Sequence, residues 1–201
     1  MQKVAEQEMT VATPHRLFNV DDYYRMGEAG IFGEEERVEL IEGQITTMAP
    51  IGIRHAGCVN YLNNFFARRL QERAIVSVQN PVRLSEHSEP QPDLCLLRPE
   101  IGLYRESHPT ADDLLLLVEV AETSTRYDRE VKVPLYASAG IAEVWIVNLA
   151  QNVVEVYRNP SPEGYGSVQQ VAGNQQLAPQ AFPELVLEAG SLFGTGANTD
   201  T

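Results

Sequence analysis

Apolar residues recur along this chain in two patterns, unbroken runs and helical spacings. The longest run, Asp113-Leu-Leu-Leu-Leu-Val-Glu-Val-Ala121, has four leucines and two valines around one carboxylate, Glu119. A run without alternation predicts a central strand covered on both faces. Asp93-Leu-Cys-Leu-Leu97 and Glu143-Val-Trp-Ile-Val-Asn148 predict two more buried strands. Ala74-Ile-Val-Ser-Val78 and Pro81-Val-Arg-Leu84 predict two short strands separated by a bend at Gln79-Asn80-Pro81. Val153-Val-Glu-Val-Tyr157 alternates as an exposed antiparallel strand does, and the glycine-rich turns beyond it predict a further hairpin and a short closing strand at Leu185-Val-Leu187.

Helical spacing is clearest between Arg54 and Arg73, where Val59, Leu62, Phe65, Phe66 and Leu70 share one face and Arg68, Arg69 and Arg73 lie opposite. Asn19 is placed to cap a short helix ending near Gly27 or Gly30. Turn and capping residues from Thr123 to Asp128 lead into a helix over 128–139, stopped by Gly140, with Pro134 in its first turn or at a kink and Lys132 at its start. Arg37 to Met48 alternates around Glu42-Gly43, a β-hairpin with Glu39 and Glu42 on or beside its turn. The order of elements predicts an α/β (α+β) fold, a mixed but largely antiparallel sheet flanked by helices 54–73 and 128–139. An extra N-terminal hairpin and C-terminal strands complete it.

At 201 residues the chain suits one domain. The expected division is a disordered leader at 1–14, a folded body at 15–195 and a disordered tail at 196–201. Cys58 and Cys95 lack metal or redox spacing and read as buried reduced thiols. Without a signal-like N-terminal segment or a membrane-length apolar stretch, the expectation is a cytoplasmic protein with no membrane partner. The formal charge of −13 opposes a general coat of nucleic acid, because phosphate binding draws on Lys and Arg. All basic residues except Arg158 lie at or before Lys132, which leaves room for a local basic surface on the first two thirds.

Chemistry concentrates on Asp93 and Glu119. Glu119 is a charge inside an apolar strand and demands compensation, from a metal or from a bridge to Lys132 or Arg126. Lys132 is the one lysine of the folded body, where every other basic residue is arginine. Carboxylates on neighbouring strands can hold a divalent cation, and a lysine beside them can position water or neutralise developing charge on a phosphoryl group. Each residue also has a plainer reading: Asp93 closing a turn, Lys132 solvated, Glu39 and Glu42 decorating a hairpin, His55 capping or packing a helix, and the 54–73 arginines forming a solvated face.

Pro92-Asp93, then Glu119, then a lysine in an αβββαβ order resembles the PD-(D/E)XK nuclease superfamily. More narrowly, Val38-Glu-Leu-Ile-Glu-Gly-Gln44, Pro50 to His55, Glu119-Val-x-x-x-Ser-Thr125, Asp128-x-x-x-Lys132, Pro134-Leu-Tyr-Ala137 and Gly140-Ile-x-Glu-Val-Trp-Ile-Val147 resemble the Uma-two family of restriction endonucleases, over residues 16 to 190. The resemblance implies a restriction endonuclease-like fold, Asp93 and Glu119 as ligands of Mg2+ (or Mn2+), and Lys132 as the catalytic lysine. It adds Glu39 and His55 as further possible site residues. It departs from the superfamily at Ala121, where the lysine two residues after the glutamate belongs; Lys132, on the following helix, matches the family's alternative.

The expected function is a Mg2+-dependent endonuclease cutting DNA phosphodiester bonds with metal-activated water, and restriction-like enzymes lead one to expect a homodimer. The alternatives are a catalytically inactive nuclease-fold module that binds a partner or a second copy, and a hydrolase of a smaller phosphorylated substrate. Arginines around the two acids would favour the nuclease, and an acidic rim would argue against it.

Overall fold

In chain order, the computed structural model, which describes residues 15–194, begins with helix α1 (Val20–Glu28) and the hairpin β1 (Val38–Ile41) and β2 (Gln44–Thr47). Helix α2 (Ile53–Leu70) leads to β3 (Ile75–Val78), β4 (Leu94–Leu97) and β5 (Leu114–Ala121). A helical stretch at 125–138 precedes β6 (Glu143–Asn148), β7 (Val153–Ser161) and β8 (Gly164–Ala172), and the short pair β9 (Gln176–Leu177) and β10 (Leu187–Glu188) closes the fold. The expected leader at 1–14 and tail at 196–201 lie outside the described residues.

Six strands form the central sheet in the order β3-β4-β5-β6-β7-β8, and β5 and β6 are its parallel pair among antiparallel neighbours. Parallel neighbours require a crossover, which the 125–138 stretch supplies. Because side chains alternate along each strand, the sheet divides two cores. On one face Leu94, Leu96, Leu116, Val118, Val120 and Trp145 pack against Val59, Leu62, Phe66 and Leu70 of α2. On the other, Cys95, Leu97, Leu117, Ala121 and Ile146 pack against Val133 and Tyr136 of the 125–138 stretch. The predicted mixed sheet and its flanking helices are therefore present. Asn19 caps α1 as expected, its Oδ1 accepting from Asp22 N at 2.7 Å.

Four expectations need correction. Pro81 to Leu84 form no strand but isolated bridges, Arg83 to Thr110 among them, with Val82 N donating to Pro90 O. Prolines 81, 90 and 92 deprive this segment of the donors a ladder needs. The alternating strand at 153 is longer than predicted and covered: Val154, Glu155, Val156 and Tyr157 are all buried. Helix α2 ends at Leu70 and passes into a single 3-10 turn at Gln71–Arg73. The helix predicted over 128–139 begins three residues earlier, so Lys132 lies midway along it. It runs as α-helix over Thr125–Tyr127, π-helix over Asp128–Lys132 and α-helix over Val133–Ser138. Pro134 has no N–H to offer the preceding turn, and the π-helical register takes up that mismatch.

Candidate active site

The register of β4 and β5 pairs Leu94 with Val118, and one step further places Asp93 opposite Glu119. Both side chains belong to the face covered by the 125–138 stretch, since they alternate in phase with Cys95 and Leu117. Asp93 is fixed from three sides. Its Oδ2 accepts from Val120 N at 2.8 Å and lies 3.0 Å from His55 Nε2, and its Oδ1 accepts from Gln79 Nε2 at 3.2 Å. With a carboxylate as acceptor, Nε2 is the protonated nitrogen of His55, and Nδ1 is buried without a partner among the described residues.

Glu119, 4 % exposed, meets the ammonium of Lys132, whose Nζ donates to Oε1 at 3.1 Å. Lys132 therefore reaches back to Glu119 from its helix. Tyr136 also donates to Oε1, at 2.5 Å, so both donors converge on one oxygen and Oε2 has no donor among the described residues. Arg126, the other expected partner, pairs with Glu130 instead.

The hairpin closes the site from above. Glu39, buried and three residues before the Glu42-Gly43 turn, pairs with Lys132 Nζ at 3.0 Å and accepts from Gln91 N at 3.1 Å. Its decorative reading fails for that reason, while Glu42 fits its own: it sits in the turn, exposed. Asp128, one helical turn before Lys132 and also buried, accepts from Ser124 Oγ at 2.7 Å.

Burial dominates the electrostatics. It raises the Glu119 carboxyl; Lys132 draws it down, but Asp93, Asp128 and Glu39 push it up again, to about 8. Burial works against the Lys132 ammonium, yet Glu119, Glu39 and Asp128 outweigh it and hold the proton more firmly than usual. Burial likewise raises Asp128, and with the negative charge of Glu119 it keeps the Tyr136 phenol neutral.

These groups line a cavity of about 460 Å3, with Glu39, Asp93, Glu119, Glu122 and Asp128 set against Arg37, Lys132 and His55. Its wall is thus mainly acidic. Of the arginines of α2, Arg54 pairs with Glu122 beside His55, while Arg68 and Arg69 stand roughly 20 Å further along the helix. There Arg69 lies over the Phe65 ring and Arg73 pairs with Glu184.

Among the described residues no group of three or more His, Cys, Asp or Glu is arranged to hold a metal ion by itself. Mg2+ does not require one, because it binds through one or two carboxylates and keeps several waters. Asp93 and Glu119, with Glu119 Oε2 undonated, fit that donor set.

Sequence reasoning gave Tyr136 and Asp128 no role of their own. Asp128, Lys132 and Tyr136 recur every four residues on the helix face that looks at the sheet. A polar stripe where an apolar one belongs was the available signal.

This arrangement, a mixed sheet with opposed carboxylates at the ends of two strands and a lysine against one of them, is a nuclease-like fold. The crystal structure of a putative nuclease belonging to DUF820 from Anabaena variabilis is similar to it, with a TM-score of 0.69 at 16% identity over 88% of this chain and 98% of the other. A family model described as "Putative restriction endonuclease" matches residues 20–190, and the chain belongs to that family, Uma2. No curated protein matches. No helix among the described residues is long and apolar enough to cross a membrane.

Proposed function

We propose that this protein is a divalent-metal-dependent endodeoxyribonuclease. The observation that carries the reading is the opposition of Asp93 and Glu119 across β4 and β5, with the Lys132 ammonium 3.1 Å from Glu119 at an open cavity. Mg2+, or Mn2+ in its place, would be held by Asp93 and Glu119 and would supply Lewis acidity toward a phosphoryl oxygen and water. His55 and the backbone N–H of Val120 hold Asp93 in place. Tyr136 and Lys132 fix Oε1 of Glu119, so that Oε2 would be free to hold the metal. Lys132, kept charged between Glu119 and Glu39, orients the attacking water and offsets charge developing on the phosphate. Assembly as a homodimer would let two such sites meet both DNA strands.

The test is cleavage of supercoiled plasmid with and without Mg2+ or Mn2+. Asp93→Asn, Glu119→Gln and Lys132→Ala should each abolish metal-dependent nicking, and the two acid variants should also weaken metal binding in calorimetry. Wild-type rates from these variants would refute the mechanism.

The acidic cavity wall favours a second reading, a catalytically inactive nuclease-fold module acting through protein contacts or a second copy. Such a module binds no metal in a way that depends on Asp93, and the same titration separates the two.

A further inference from the structure

The cavity presents a charge problem to any phosphodiester. Its one lysine is already shared between two carboxylates, with Lys132 Nζ 3.0 Å from Glu39 and 3.1 Å from Glu119. Most nearby arginines are consumed too: Arg54 on Glu122, Arg126 on Glu130 and Arg129 on Glu155.

Arg37 is different. It lines the cavity half-buried, and among the described residues its guanidinium has no carboxylate partner and no hydrogen bond. Its position is set by the hairpin. Arg37 O accepts from Met48 N at 2.8 Å, which extends the β1–β2 ladder by one residue and puts Arg37 on the same face as Glu39. Two residues along a strand span about 7 Å. The guanidinium therefore stems from a point one side-chain repeat away from the Glu39–Lys132–Glu119 cluster, beside it rather than within it. Ordered backbone on both strands of the hairpin limits the entropy lost when its donors engage a ligand. A planar guanidinium with all its donors unspent is suited to two oxygens of one phosphate.

We infer that Arg37 is the substrate anchor of this site, gripping a backbone phosphate adjacent to the one presented to Asp93 and Glu119. The ligand class is a nucleic-acid phosphodiester, and the inference rests on the nuclease reading above. Arg37 adds a positive charge that no carboxylate shares to that of Lys132, which Glu39 and Glu119 divide, and it sets the register of the strand relative to the catalytic carboxylates.

The experiment uses the full chain and a short fluorescent DNA duplex, with Ca2+ replacing Mg2+, and follows anisotropy across a salt series. Wild type should bind with an affinity that falls as salt rises. Arg37→Ala should bind about tenfold more weakly with a salt slope shallower by about one. Arg37→Lys should keep the slope while losing part of the affinity, since a point charge replaces the two-pronged contact. Calorimetric metal binding without DNA and thermal unfolding should match wild type in both variants. Arg37→Ala binding DNA with wild-type affinity and slope overturns the anchor and leaves the nuclease reading standing. Equal losses of metal binding and thermal stability would overturn it in favour of a structural role. If wild type binds neither metal nor duplex, the nuclease reading fails and the anchor with it.

Discussion

Lys132 ties the layers of the site together, for it answers one carboxylate from the sheet and one from the hairpin. Removing one partner of a buried ion pair costs about 3–5 kcal/mol, because the other charge is left in the interior. Lys132→Ala should be destabilised on that scale in metal-free buffer, and the loss should depend on pH. The Glu119 carboxyl is raised from 4.5 to about 8 in the folded protein. Between those values the folded state holds a proton that the unfolded chain has released, so this group favours folding as pH falls from about 8 toward 4.5 and opposes it above. Denaturant unfolding at about pH 5.5 and about pH 8.5 should therefore show the variant closer to wild type in acid. An equal deficit at both values would mean that Glu119 is not the charge left unpaired. Glu119 itself was legible, since a carboxylate in a leucine run is conspicuous. Glu39 was legible only through the family resemblance and not from its hairpin pattern, because its partners Gln91 and Lys132 are both distant in sequence.

The β1–β2 hairpin is the element that completes the site, and its turn is the place to test it. Glu42 and Gly43 both have positive φ, 48° and 77°, as a two-residue type I′ turn requires. A Cβ on Gly43 would also fall 2.6 Å from Leu17 Cβ. Gly140 shares the left-handed backbone, at 80°, but has open space around it. Gly140→Ala should lose about 1–2 kcal/mol from backbone strain alone. Gly43→Ala should lose more, and thermal unfolding of the two side by side gives the comparison; equal losses would show that Leu17 yields freely. The hairpin was readable because alternation and a Glu-Gly turn are local features. The absence of a strand at 81–84 and the early start of the 125–138 helix were not. Proline pairings across a loop and a π-helical turn depend on what lies opposite, which local patterns do not record.

At the scale of the molecule, the sheet is a partition with one thiol on each side, Cys58 in the α2 core and Cys95 in the other. Burial pushes Cys58 up to about 12 and Cys95 also well above the usual thiol range, so neither offers a thiolate to a reagent. If the two layers unfold as one unit around their common sheet, both cysteines should be alkylated at a single rate that tracks global unfolding. Earlier modification of Cys58 would show that the α2 layer opens by itself. The overall architecture was legible because three strands are nearly pure apolar runs. The functional end was only half legible, because it is assembled from two layers and a hairpin. That hairpin carries a consequence for descent with modification. Side chains alternate with period two, so one residue inserted between the turn and β1 would turn Glu39 and Arg37 outward together. The two residues can drift in identity one at a time, but a change in loop length trades both at once, and lineages of this fold that differ by one residue there would differ in site chemistry while keeping the same sheet.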